Sequence, residues 1–223
     1  GVRVDLEGAE RIRKDLEEKE KDILHKIKVE YGLDVDIWAA ASVAKVFDAA
    51  SLPYPKTEAT GAPSFTKEFL NTGTHYLPRA IVQAREFNKA RTTFVETIMK
   101  HQHNGRIHAD IHQLRSDDGG TITGRFSYSN PNLQQLPARN EVIGPMIRSL
   151  FLPEDGDKWG SFDYSSQEPR IVVHYASLLD FRGASEFVAK YQEDKYSDFH
   201  QIAADIVGVP RKQAKTINLG LFY

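Results

Sequence analysis

The hydrophobic period of this chain changes near residue 104, and that change decides what class of fold it can adopt. Before it, apolar residues recur at helical spacing. Leu6, Ile12, Leu16, Ile23, Leu24 and Ile27 make one stripe through the Glu- and Lys-rich segment 1–30. Ile81, Phe87, Phe94, Val95 and Ile98 make another within 78–103. A repeat near ~3.6 residues marks a helix with one buried face. A shorter helix is predicted over 36–50, and Pro53, Pro55, Gly61, Pro63 and Gly73 make 51–75 rich in loops. After the turn Asn104-Gly105, the residues Ile107, Ala109 and Ile111 alternate with His108, Asp110 and His112, the period of a strand. Asp117 to Gly120 forms another turn. Strands are predicted over 149–152 and 159–164, flanking the turn 153–157, and then helices near 167–179, 183–192, 197–207 and 210–223. A helical first half, a short sheet and further helices define an α+β chain with a boundary near 104–120.

The chain has 223 residues, no cysteine and a formal net charge of -2. Disulfides and thiolate metal sites are excluded. The slight negative charge weighs against a strongly basic nucleic-acid binder, so local arrangement has to carry that case. No apolar run approaches the ~18 residues of a membrane span, and no membrane partner is expected. The opening Gly1-Val2-Arg3-Val4-Asp5 resembles neither a signal peptide nor an initiator, which suggests a piece of something longer.

Three segments carry candidate chemistry. Residues 123–137 hold Arg125, Asn132 and Gln134 among turn formers. Guanidinium and amide groups suit phosphates and minor-groove acceptors, but a polar loop has the same composition. Asp163 closes a predicted strand ahead of a helix, where a carboxylate can meet a hard cation such as Mg²⁺. The ordinary reading there is a capping box of Ser165 with Glu168, which leaves Asp163 unexplained. In 210–223, Pro210 fits the first position of a helix, and Arg211, Lys215, Leu219 and Tyr223 recur every fourth residue. They trace one slowly winding stripe, with successive members ~6 Å apart along the axis. Such a row suits the phosphates and base of a nucleotide, and equally a solvated basic face. His101, His103, His108 and His112 could also gather a metal, although such clusters are usually solvated.

In order and spacing, the three segments resemble the DNA polymerase I-like enzymes, family A. The first is similar to that family's T-G-R to P-N-L-Q stretch. The second is similar to motif A, D-Y-S-Q-I-E-L-R, and the third to motif B, R-x-x-x-K-x-x-x-[FY]-G-x-x-Y. Arg139-Asn140-Glu141, Ile147-Arg148 and Asp198-Phe199-His200 are linking matches, and Gly1 to Asp5 resembles the entry to the thumb. The resemblance covers nearly the whole chain.

The resemblance implies a right-hand polymerase: a helical thumb at 1–103, part of an antiparallel palm sheet at 104–180, and the start of the helical fingers at 181–223. It implies templated DNA synthesis on primer–template DNA from deoxynucleoside triphosphates, with two Mg²⁺ ions. Asp163 and the Tyr164 carbonyl would be metal ligands. Glu168 would select deoxyribose, Arg211, Lys215 and His200 would hold the triphosphate, and Leu219 and Tyr223 would lie near sugar and base. Arg125, Asn132, Gln134, Arg148 and Gln113 would contact DNA. The setting would be the cytoplasm of a bacterium or a phage-infected cell.

Four positions depart from the pattern. Ser166, Gln167 and Pro169 replace Gln, Ile and Leu, and Leu219 replaces an aromatic ring that touches the incoming nucleotide. The family's later His-Asp-Glu motif, with the second carboxylate, lies beyond motif B, so activity is expected to need a further C-terminal segment on the same or a separate chain. The alternatives are a non-catalytic DNA-binding module or one half of a split polymerase. Single-subunit RNA polymerases share the Asp and the basic helix, but Glu168 and the T-G-R stretch favour DNA.

Overall fold

The computed structural model describes residues 1–117, 119–138 and 140–222. The chain forms two compact units, Gly1–Lys158 and Trp159–Tyr223. Among the described residues no helix is long and apolar enough to cross a membrane.

The first unit opens with strand β1 (Val2–Val4) and helix α1 (Leu6–Tyr31). Asp5 sets their junction, because its Oδ1 accepts a 2.8 Å hydrogen bond from the Gly8 amide. That satisfies one of the amides left unpaired in a first helical turn. Residue 8 has to be glycine for this, since a Cβ there would sit 2.2 Å from Asp5 Oδ2. Helices α2 (Ala40–Ala49), α3 (Lys67–Thr72) and α4 (Tyr76–Lys89) follow. The short α3 falls inside the segment expected to be loop, and Thr66 caps it by accepting from the Phe69 amide. With the C-terminal half of α1 these helices enclose one core of Ile27, Val43, Phe47, Leu70, Leu77 and Ile81. The Phe47 ring packs against Phe65 with centroids 4.8 Å apart.

Helix α4 continues through a π-helical turn (Ala90–Val95) into α5 (Glu96–His101). These residues and the N-terminal half of α1 build a second core with Leu16, Val95, Ile98, Ile107, Ile147 and Leu150. Its sheet runs β2 (Gln102–His103), β3 (Arg106–Ile107), β1, β6 (Phe151–Leu152), every neighbouring pair antiparallel. The β2–β3 hairpin turns on Asn104 and Gly105, both at positive φ (50° and 74°). Asn-Gly tolerates that conformation best. Because β1 lies between β3 and β6, residues on both sides of the 104–120 region share one sheet.

The strand expected through 107–112 is two strands. Residues 106–107 pair with β1 and β2, whereas β4 (Asp110–His112) pairs with β5 (Ser127–Ser129) in a separate ladder. Ile107 is therefore buried while Ile111 stays half exposed. A 3₁₀ turn (Leu133–Gln135) and α6 (Ile143–Arg148) lead into β6. Arg106 grips Glu154 with two bonds of 2.7 and 2.8 Å, and Arg3 reaches Asp155 at 2.6 Å, so the turn after β6 is tied back to the sheet.

The second unit consists of α7 (Gln167–Leu178), α8 (Ala184–Glu193), α9 (Phe199–Val207) and α10 (Arg211–Phe222). The strand expected over 159–164 is not formed. A strand exists only through a ladder partner, and no described backbone pairs with these residues, which leaves Phe162 almost wholly exposed. The cap of α7 is also one residue later than the expected Ser165. Ser166, in the left-handed region at φ 53°, is the cap of α7 and makes no side-chain cap bond. Ser165 instead offers its carbonyl to Arg170 Nε at 3.0 Å. Pro210 stands one position earlier than expected, as the residue whose carbonyl accepts from Ala214 at the start of α10.

Candidate functional site

In the first unit, the segment around the T-G-R and P-N-L-Q matches is tied together by its own side chains. Thr121 Oγ1 donates to the Arg125 carbonyl at 2.6 Å, and Gln134 Nε2 donates to the Phe126 carbonyl at 2.9 Å. Asn132 Oδ1 accepts from the Gln134 amide at 3.1 Å and so caps the 3₁₀ turn. Arg148, the last residue of α6, donates from Nε to the Pro137 carbonyl at 3.0 Å. Gly120 permits the bend ahead of this stretch: at φ 91° its Cβ position would lie 2.2 Å from the Leu114 carbonyl. Gln113 is exposed just after β4. An open depression of about 750 Å³, lined by Val2, Ile107, Ile111, Tyr128, Leu133 and Gln134, runs beside the stretch. Asn132 lines a neighbouring cavity of about 230 Å³ with Thr93, Thr97 and His101. Of the DNA-contact candidates, Asn132 and Gln134 meet through a direct bond, whereas Arg148 is held to the far end of the same segment.

In the second unit, Asp163 and Tyr164 are exposed on the loop before α7, and Glu168 lies exposed in the first turn of that helix. Two of the triphosphate candidates, His200 and Arg211, come together where α9 meets α10. Asp198, the N-cap of α9, uses Oδ1 to accept from the amides of His200 (2.9 Å) and Gln201 (3.3 Å). Its Oδ2 accepts from Arg211 Nε at 2.6 Å, and the same guanidinium forms an ion pair with it through Nη2 at 2.5 Å. Burial alone would raise the Asp198 carboxyl, but Arg211 and the two amides hold it below the usual carboxylate range. His200 is buried, and its Nδ1 lies 3.2 Å from Asn218 Nδ2. An amide nitrogen can only donate there, which assigns the ring hydrogen to Nε2. Burial, then the positive Lys215 and Arg211, lower the His200 pKa against the opposing pull of Asp198. Lys215 is exposed one turn beyond Arg211, and Leu219 is half-buried one turn further. Tyr223 and Arg139 lie outside the described residues, as does Asp118 of the expected turn.

Asp198 and Asn218 are the residues here that motif reading left without a role. A capping Asp before the apolar run 199–207 was the available signal for the first. Asn218 gave none, since its partner lies on another helix. Two of the four histidines considered as metal ligands have other partners: His112 Nε2 sits 2.8 Å from Ser129 Oγ and His103 Nε2 lies 3.2 Å from Asn104. Among the described residues no three His, Cys, Asp or Glu side chains are grouped to hold a metal.

This architecture is that of a polymerase domain. The solved POL domain of Pol1 from M. smegmatis, in complex with DNA primer-template and dNTP, superposes with a TM-score of 0.74 at 24% identity, covering 99% of this chain and 39% of that one. That likeness establishes the fold. The model of DNA polymerase family A matches residues 6–223, and the chain belongs to that family. A DNA-directed DNA polymerase of Pseudomonas phage M6 is 38% identical over the whole of this chain and 36% of its own length. DNA polymerase DpoZ of Acinetobacter phage SH-Ab 15497 is 33% identical over the whole of this chain and 39% of its own length. The chain thus spans under two-fifths of these relatives.

Proposed function

We propose that this chain provides the DNA groove, one catalytic carboxylate and the triphosphate-binding helix of a DNA polymerase that extends a primer on a template. The cluster at α9 and α10 carries the reading: Arg211, Lys215 and a buried His200 lie together on a two-helix corner. Two cations and a neutral N–H donor match the charge and hydrogen-bonding capacity of a triphosphate. In this reading 1–103 acts as thumb, 104–180 as partial palm and 181–223 as the start of the fingers, working in the cytoplasm of a bacterium or a phage-infected cell.

The primer 3′-hydroxyl gives its proton to solvent, its oxygen bonds to the α-phosphorus, the bond to the α–β bridging oxygen breaks, and pyrophosphate leaves. Arg211 and Lys215 offset the charge that builds on the phosphates, and His200 donates from Nε2. Glu168 excludes a 2′-hydroxyl. Arg125, Asn132, Gln134, Arg148 and Gln113 orient the primer–template. The exposed Asp163 carboxylate and the Tyr164 carbonyl are hard oxygen donors that would help hold Mg²⁺. When bound, two Mg²⁺ ions lower the pKa of the attacking hydroxyl and neutralise phosphate charge. The second carboxylate belongs to a further polypeptide segment.

The test uses the complete polymerase that carries this chain. Asp163→Ala should abolish Mg²⁺-dependent primer extension and leave primer–template affinity largely intact. Residues 1–223 alone should extend nothing, and adding the further segment should restore extension. Robust extension by 1–223 alone, or an active Asp163→Ala enzyme, would overturn the reading.

A further inference from the structure

We infer that Asp198 is a positioning residue for Arg211, clamping one edge of its guanidinium so that the other edge is presented to the triphosphate. The inference rests on the reading of α10 as the nucleotide-binding helix.

The two carboxylate oxygens of Asp198 have separate duties. Oδ1 is occupied by the first-turn amides of α9, at 2.9 Å to His200 and 3.3 Å to Gln201. Its place is therefore set by the helix and not by the arginine. Oδ2 accepts from Nε of Arg211 at 2.6 Å, and Nη2 lies 2.5 Å from it as an ion pair. A guanidinium is a flat, rigid fork of five donors. Holding it by the Nε bond with Nη2 against the same oxygen orients the fork and leaves the Nη1 edge to reach a second anion. Gly208, left-handed at φ 76°, makes the tight corner that brings the start of α10 back over the cap of α9. The Arg211 side chain is half exposed and that of Asp198 one-third exposed, so the outer edge of the fork is open to a ligand. A side chain already ordered loses less freedom when a ligand arrives. Asp198 would then improve nucleotide binding without touching the nucleotide.

The obvious rival is that Asp198 competes with phosphate for Arg211, and Asp198→Asn separates the two. Asparagine keeps an oxygen for the cap amides, but its neutral amide cannot hold both arginine donors. In the complete polymerase, Asp198→Asn should raise KM for a deoxynucleoside triphosphate about three- to tenfold, the range of a lost charge-assisted hydrogen bond at a partly exposed site. It should change kcat less and leave thermal stability near wild type. In an Arg211→Ala background, Asp198→Asn should add nothing. Tighter nucleotide binding by Asp198→Asn, an unchanged KM, or an effect that persists in full without Arg211 would each overturn the inference while leaving the helix assignment standing. If Arg211→Ala itself leaves KM unmoved, the assignment of α10 fails, and the inference with it.

Discussion

Glu20 and Arg91 meet at 3.3 Å with side chains only 12% and 19% exposed, in the seam between the two cores of the first unit. Asn88 donates a 2.9 Å bond to the same carboxylate, and Arg91 also reaches Glu96 at 2.7 Å. The seam coincides with the π-helical turn, whose wider coil turns Arg91 toward α1. Arg91→Ala strands a buried carboxylate and should cost about 3 kcal/mol. Glu20→Gln keeps a polar partner and should cost less. Exchanging both residues for methionine together should recover most of the loss. Urea denaturation followed by a probe in the first unit checks this, and an Arg91→Ala protein as stable as wild type would refute it.

Most helices were legible because their signal is local. The stripe Leu6 to Ile27 sits where spacing put it, with Leu16 and Ile27 fully buried. The four helices after 166 begin and end within about two residues of expectation, the ordinary scatter of helix ends. The sheet was less legible, because pairing is decided by partners far away in sequence. Nothing in Val2 to Val4 announces a strand flanked by β3 and β6. Conversely, 159–164 carries strand-favouring aromatic residues yet finds no ladder among the described residues. At the candidate site, spacing and residue type marked Arg211 and Lys215, and the family resemblance marked His200. The bonds that orient them, from Asp198 and Asn218, cross between helices and leave no periodic trace.

His200 ties the second unit to pH. Its folded-state pKa is lowered below the ordinary 6.5, chiefly by burial and then by Lys215 and Arg211, with Asp198 opposing. A proton is then taken up more readily by the unfolded state. Stability is full above pH 6.5 and falls as the pH drops through 6.5 toward the lower folded value. The opening free energy of α9 and α10, read from amide exchange corrected for its intrinsic pH dependence, should therefore fall as the pH drops below 6.5. In His200→Gln the pH dependence should flatten. An unchanged slope in the variant would assign the effect to another group.

Arg148 is fixed by Nε to the Pro137 carbonyl at 3.0 Å, which leaves its remaining donors available at the edge of the P-N-L-Q segment. If they meet a DNA phosphate, Arg148→Ala should weaken primer–template binding about equally for every sequence. The slope of log affinity against log salt should shrink by roughly one. Fluorescence anisotropy over a salt series measures both. A sequence-dependent loss with an unchanged slope would instead mark Arg148 as reading a base edge.

Lys215 and Leu219 extend the row that Arg211 begins, and their settings differ from that of the arginine. Arg211 is clamped by Asp198, whereas Lys215 is exposed, a compact and mobile point charge. Its charge should therefore act most strongly where negative charge grows. In the complete polymerase, Lys215→Ala should raise KM for nucleotide and lower kcat together, with the larger part in kcat. Primer–template affinity should change little. Leu219, one turn further and half-buried, offers methyl groups where the family carries a ring. Leu219→Tyr should shift the relative use of dideoxy- and deoxynucleotides without abolishing synthesis, because no charge is lost. Steady-state kinetics on both variants, with DNA affinity measured separately, decide the matter. If Lys215→Ala weakened only DNA binding, the lysine would face the duplex. The stripe along α10 would then be a nucleic-acid surface, with Arg211 alone left for the triphosphate.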